Sequence, residues 1–303
     1  MIEPRDLGPE DLVLSHFSLG RNHPLDDRIH SAGAAGFAGI GLFAGQYRQL
    51  RDGGLSVGQL RDLLDESDVC LAEIEVLAGW GAASPPDAYW EFEAAVWELV
   101  DAFESRYVQA IGPHEGSIAD AAVRFGQVCD RAAEHGAVVG LEFLPFTNIV
   151  DAADALTIVE AADRPNGGVC VDIWHHARGA NDLDLIRAIP PALIAGIQMS
   201  DGPAQPELAD YKDDCLRHRV PPGAGEFGAV EFVRTLIELG AEVPWSLEVC
   251  NDHVWGQPGA DHVRRAADGM RRVLDQARAR PERQGPSGHP SRTRRRQQVV
   301  ERR

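Results

Sequence analysis

Four apolar runs in this sequence each end on one polar side chain of a kind that binds cations. Val-Val-Gly-Leu leads into Glu142, Gly-Val-Cys-Val into Asp172, Ile-Ala-Gly-Ile into Gln198, and Trp-Ser-Leu into Glu248. Burying one carboxylate at the end of an apolar strand is costly, and burying three is prohibitive unless a cation compensates. Taken singly, each acid is as readily a helix N-cap or a solvated loop carboxylate. Placed alike on four consecutive strands, they point to one shared divalent metal ion held by Glu142, Asp172, Gln198 and Glu248. Three carboxylates and an amide oxygen form a hard ligand set, suited first to Mn2+, with Mg2+ or Co2+ as alternatives.

The elements that must position these groups alternate along the chain. Strand-like runs fall at Leu12–Phe17, Gly39–Phe43, Leu71–Leu77, Tyr107–Ile111, Val138–Leu144, Gly168–Ile173, Leu193–Met199 and Trp245–Val249. They are rich in Val, Ile and Leu without strict alternation, as parallel strands covered on both faces should be. Helix-like stretches lie between them, at Pro86–Ser105, Ser117–His135, Asp151–Ala162, Ala229–Leu239 and Ala260–Arg280. Eight strands, each with room for a helix after it, predict a single α/β domain, a (β/α)8 TIM barrel over residues 10–280. No glycine fingerprint follows the first strand, where Leu19-Gly20-Arg21-Asn22-His23-Pro24 stands instead, which argues against an open dinucleotide-binding sheet. In the barrel the four polar strand ends converge on one mouth. The long connection Asp201–Gly228 lies on the same face.

Composition narrows the class further. The chain has 303 residues, 44% hydrophobic and 25% charged, and a net charge of −18. Residues 281–303 hold seven Arg against Glu282 and Glu301, so this tail is +5 and the rest of the chain −23. We read the tail as a disordered basic extension. So acidic a body argues against nucleic acid as a partner. No apolar run is long enough to span a membrane. The start of the chain has neither the basic nor the apolar segment of a secretion signal, and a cytoplasmic location is the expectation. Five widely spaced cysteines argue against a disulfide framework. The single lysine, Lys212, sits among Asp210, Asp213 and Asp214, which disfavours Schiff-base chemistry.

The segments LEFLP, CVDIWHHARG, IQMSDG, RHRVPPGAGEFG and SLEV resemble the xylose isomerase-like TIM barrels, a superfamily of sugar phosphate isomerases and epimerases. The superfamily also holds ketose 3-epimerases, keto-inositol dehydratases and isomerases, and dehydroshikimate dehydratases. The resemblance covers roughly residues 10–275. Its more specific parts are the Asp-x-x-His of Asp172–His175 and the Arg-x-Pro-x-Gly-x-Gly-Glu pattern from Arg219 to Glu226, which here carries an extra Pro.

The resemblance implies that Glu142, Asp172 and Glu248 bind the metal and that Glu142 and Glu248 form an acid/base pair. It implies that His175 hydrogen-bonds a substrate oxygen and that Arg219 reaches the substrate from the loop after strand seven. Many relatives carry His where this chain has Gln198. Glu75 and His114, at the ends of strands three and four, are further candidates for contacting a substrate hydroxyl. Trp80, Trp174 and Trp255 could line an apolar wall, and His176 and Asp201 could orient ligands.

The expected activity is metal-dependent isomerisation or epimerisation of a sugar or related polyhydroxy carbonyl compound by proton transfer through an enediolate. A lyase of the same superfamily is the alternative, acting on a keto-inositol, a dehydroshikimate-type ring or a 3-keto-glycoside. A non-catalytic ligand-binding barrel or complex subunit is a third. The expected partner is a small sugar, polyol or cyclic keto compound, with homo-oligomerisation common among relatives. The related endonuclease-type barrels use a histidine-rich three-zinc cluster, and strand three here ends in Glu75-Val76-Leu77 with no histidine.

Overall fold

The computed structural model describes residues 6–19, 23–254 and 256–279. The basic tail 281–303 and Trp255 lie outside these residues. Eight parallel strands close into a barrel in chain order: β1 Leu12–Leu14, β2 Gly39–Phe43, β3 Cys70–Leu77, β4 Tyr107–Ile111, β5 Val138–Glu142, β6 Gly167–Asp172, β7 Ile194–Met199 and β8 Trp245–Leu247. β1 pairs with β8, Val13 opposite Ser246, and this closes the ring.

Helices pack around it: α1 Leu25–Ala34, α2 Ala44–Asp52, α3 Val57–Glu66, α4 Asp87–Phe103, α5 Ile118–Glu134, α6 Ala152–Ala162, α7 Ile173–Arg178, α8 Leu183–Arg187, α9 Tyr211–Arg217, α10 Ala229–Leu239 and α11 Gly259–Arg278. Among the described residues, no helix is long and apolar enough to cross a membrane. Local signals start the helices. Ser56 and Ser117 make capping boxes with Gln59 and Asp120, and Asp151 accepts from the backbone of Ala153 and Asp154.

Most strands start or end one or two residues from the sequence expectation, and two larger differences have a visible cause. β1 stops at Leu14 because the Ser15 hydroxyl accepts from the Phe17 amide and turns the chain into a short 3-10 helix, His16–Ser18. The connection after β7 holds α9, started by Asp210, whose carboxylate accepts from Asp213 N at 2.9 Å. That connection is closed at its base by Asp201, whose carboxylate accepts from the amides of Gly202, Gly223 and Phe227 at 2.9–3.0 Å.

The inside of the barrel is polar toward its mouth. Hydrogen bonds cross it from Ser246 Oγ to Glu73 at 2.7 Å, from Gln109 Nε2 to Gln198 Oε1 at 3.2 Å and from Ser15 Oγ to Glu75 at 3.0 Å. Below them the Tyr107 ring fills the space left by two glycines, since a Cβ at Gly140 or Gly196 would collide with its hydroxyl. The fold's apolar mass lies between the barrel and the helices, with Leu42, Ile74, Val96, Phe125, Val171, Phe232 and Val263 fully buried.

Candidate metal and acid-base site

Glu142 and Asp172 are the last residues of β5 and β6, and Gln198 is the penultimate residue of β7. Glu248 follows β8 directly. Cα register places Asp172 beside Gln198, and Gln198 beside Ser246, two residues before Glu248. All four residues are at most 6% exposed.

Asp172 does two things at once. Its Oδ1 accepts from Trp174 N at 2.5 Å and His175 N at 3.3 Å, capping α7, and this turns the His175 ring into the mouth. Its Oδ2 accepts from Arg219 Nη1 at 2.7 Å. The same Nη1 lies 2.9 Å from Glu248 Oε2, so one guanidinium bridges two of the carboxylates. Arg219 is 1% exposed and further bonded to Cys215, through the carbonyl and Sγ at 3.1 Å each. It reaches the mouth because Arg219 N donates to Cys250 O, and Asn251 donates to Arg219 O, folding the long connection onto the end of β8.

Glu142 is placed differently. Gln109 Nε2 donates to its Oε2 at 2.7 Å, while Oε1 has no hydrogen-bond partner among the described residues and lies 3.4 Å from His175 Nε2. On the other side of that ring, His175 Nδ1 is 3.2 Å from the Tyr211 hydroxyl at the start of α9.

Three carboxylates facing one guanidinium cannot all hold their charge easily. Burial, then Glu248 and Asp172, push the Glu142 carboxyl well above its ordinary range. Burial, with Asp172 beside it and only partly offset by Arg219, pushes Glu248 up to about 8. Burial opposes the charge of Asp172 too, but Arg219, His175 and its hydrogen bonds outweigh it and hold that carboxyl below its usual value. Burial, reinforced by Arg219 and only partly offset by Asp172, pulls His175 down to about 3, so its ring is neutral near neutral pH.

These features fit a divalent cation. Glu142, Asp172 and His175 each offer a ligand atom within 4.8 Å of the others, and all three are buried. The excess of carboxylate over cation is what a metal ion would satisfy.

The other sequence candidates lie as follows. Glu75 is fully buried, accepting from Ser15 Oγ at 3.0 Å and His16 N at 2.8 Å, in a space that exists because Gly41 has no side chain. Burial, then Glu73 and Glu248, raise its carboxyl well above the ordinary range. His114 clasps Asn148 through its backbone, at 3.0 and 2.8 Å, and its Nδ1 has no partner among the described residues. Trp80 is buried and donates to Ile111 O, while Trp174 is buried under Arg178 and Arg219. His176 packs on Phe232.

Gln109, Glu73, Ser246 and Tyr211 were missed by the sequence reasoning. Gln109 interrupts the apolar strand Tyr107–Ile111 just as Gln198 interrupts β7, and Glu73 stands two residues before Glu75 on the same face. Both signals were present. Tyr211 sits in a charged stretch with no periodicity to single it out.

Comparison with known proteins places this geometry. Residues 29–276 match the model of the xylose isomerase-like TIM barrel family. A 3-dehydroshikimate dehydratase of Pseudomonas putida is 32% identical over 166 residues, covering 53% of this chain and 25% of the relative. The chain thus spans about a quarter of the length of that curated relative. Among solved structures, a xylose isomerase-like TIM barrel/4-hydroxyphenylpyruvate dioxygenase fusion protein superposes with a TM-score of 0.74 at 23% identity, over 88% of this chain and 43% of that one. The IOLI protein with a bound zinc atom superposes with a TM-score of 0.78 at 17% identity, over 88% of this chain and 99% of that one. The chain belongs to the xylose isomerase-like TIM barrel family.

Proposed function

We propose that this protein is a metal-dependent lyase that removes water from a cyclic hydroxy-ketone of the 3-dehydroshikimate type. The observation that carries this is the unpartnered Glu142 Oε1 set 3.4 Å from the neutral His175 Nε2. An acceptor for a proton and a donor to a leaving oxygen stand side by side, as elimination on one face of a ring requires. The identity to a 3-dehydroshikimate dehydratase supports the same reaction.

Glu142, Asp172, Gln198 and Glu248 would hold one divalent cation, Mn2+ first by the hardness of the donors. When bound, it supplies Lewis-acid polarisation of the substrate carbonyl. Glu142 takes the proton from the carbon next to the carbonyl. The electron pair of that C–H bond becomes the new C=C bond as the neighbouring C–O bond breaks. Glu142 then returns the proton to the departing hydroxyl, which leaves as water, while His175 Nε2 hydrogen-bonds that oxygen. With the Tyr211 hydroxyl donating to Nδ1, 3.2 Å away, the neutral His175 ring would carry its proton on Nε2 for that oxygen.

A second activity, epimerisation or isomerisation of a ketose, is favoured by one observation. Glu248 also lies buried in the mouth, so a second carboxyl group stands three strands away from Glu142. The two are separated by incubating the Mn2+-loaded protein in D2O with 3-dehydroshikimate, keto-inositols and ketoses, followed by proton NMR. Loss of water from the ring supports the lyase. Deuterium entering next to the carbonyl without dehydration supports the epimerase or isomerase, and no change in any compound sinks both.

The metal makes a second prediction. An acid whose carboxyl is raised in the fold adds stability that is complete below its unfolded value, 4.5, and lost as pH rises through the folded value, about 8 for Glu248 and about 7 for Glu73. The lowered carboxyl of Asp172 acts in the opposite sense, but below this window. The depressed imidazoles of His175 and His262, at about 3 and about 4, oppose this loss until their unfolded value of 6.5 is passed, so metal-free protein is expected to melt at falling temperature from about pH 6.5 to about pH 8. Mn2+ at a hundred times its Kd is expected to raise Tm by roughly 5–10 °C at the upper end and much less at the lower. Thermal melts with and without Mn2+ across that range check it; an equal Mn2+ effect at every pH contradicts it.

A further inference from the structure

We infer that Phe146, together with Tyr211, is the specificity element of this site, and that it selects a flat, unsaturated ring over an open-chain ketose. This rests on the reaction proposed above and names the feature of the substrate that the mouth recognises.

Phe146 is 44% exposed, although an aromatic ring of that size ordinarily seeks the core. Among the large exposed apolar side chains of the described residues, it is the one whose ring meets the catalytic cluster. Its centroid lies 6.3 Å from His175, edge to face, and 5.4 Å from Tyr211. Tyr211 and His175 in turn lie nearly parallel, at 22° and 6.3 Å. The three rings make one wall beside Glu142 and Asp172.

The wall is held firmly. Phe146 rides on a tight turn in which Leu144 N donates to Ile149 O at 2.7 Å and Thr147 N to Leu144 O at 2.8 Å. The side chain of Asn148 locks the turn to the His114 backbone through two hydrogen bonds. His114 thus serves the site through its main chain.

The chemistry of the wall is selective. A phenyl face gains by covering a planar conjugated ring, which offers an apolar face of matching shape. An open-chain ketose presents hydroxyl-bearing tetrahedral carbons on every side, and the wall would strip water from them without replacing those hydrogen bonds. Phe146 is the exposed member of the wall and the buried His175 stands beside Glu142, so the apolar face falls on the ring and the polar edge on its oxygens.

The test is equilibrium titration of Mn2+-loaded wild type, Phe146→Ala and Phe146→Tyr with 3,4-dihydroxybenzoate, the flat product of dehydrating 3-dehydroshikimate, and with D-fructose. Phe146→Ala is expected to bind the ring acid about tenfold more weakly and D-fructose within about twofold of wild type. Phe146→Tyr keeps the ring and is expected to bind both within about twofold of wild type. Unchanged ring binding in Phe146→Ala, equal weakening of both ligands, or a wild type that does not bind the ring acid overturns the inference. Turnover is read separately: this binding pattern in a wild type that never dehydrates 3-dehydroshikimate overturns the proposed reaction and leaves the selectivity standing.

Discussion

Glu142→Gln is expected to lower kcat by about a thousandfold, expressed per bound Mn2+, because it removes the group that accepts and returns the proton. The amide fits the same space and can still accept from Gln109, so the barrel should stand. Metal-free stability should hold or rise, because burial, Glu248 and Asp172 all oppose a charge at Glu142. Glu248→Gln is expected to cost about ten- to a hundredfold at equal metal loading, since its oxygen is tied to Arg219 and its carboxyl acts through the cation centre. The comparison of the two variants is the informative measurement. A large loss in one and a modest loss in the other supports elimination on one face. Equal losses near a thousandfold would support proton transfer on both faces, as epimerisation requires.

Arg219→Met should cost more stability than any other single change in the mouth. Its guanidinium is the buried cation that Asp172 and Glu248 share, at 2.7 and 2.9 Å. Removing one member of a buried ionic group leaves the others uncompensated, a loss of about 3–5 kcal/mol. For a barrel of this size that is a drop in Tm of roughly 10 °C. Two conditions should restore part of it, and each tests the cause. Lowering the pH lets Glu248, which Arg219 no longer holds down, keep its proton, and saturating Mn2+ supplies the missing positive charge. A melting temperature that neither condition moves would mean that the loss comes from packing against Trp174, 5.4 Å from the guanidinium, and not from charge.

The barrel was legible because its signals are local. Apolar runs of the right length, spaced by amphipathic stretches, announced eight strands, and the observed β2, β4 and α10 have the very limits read from the sequence. The four polar strand ends were legible for the same reason, since a carboxylate closing a run of Val, Ile and Leu is costly wherever the chain goes. Gln109 carried that signal as well and was passed over because a neutral amide does not demand a cation.

Other features were invisible for a physical reason. Glu75 and Glu142 look alike in sequence, each an acid at the end of an apolar strand. Only closure of the barrel turns Glu75 toward Ser15, 60 residues away, and leaves an oxygen of Glu142 open. Tyr211 opens the short helix α9 and Phe146 sits in a turn, and neither stretch has a periodicity that could have pointed to them.

By itself, then, the sequence determined the architecture, the family and the set of cation-seeking side chains, because strand burial and desolvation act within a few residues. The tertiary structure alone decided which partner each side chain finds. Arg219 meets Asp172 across 47 residues of chain, and Ser246 meets Glu73 across 173. Those pairings follow from how eight staggered strands close on one another, and they decide which carboxylates share the Arg219 guanidinium and which one has an oxygen without a hydrogen-bond partner among the described residues.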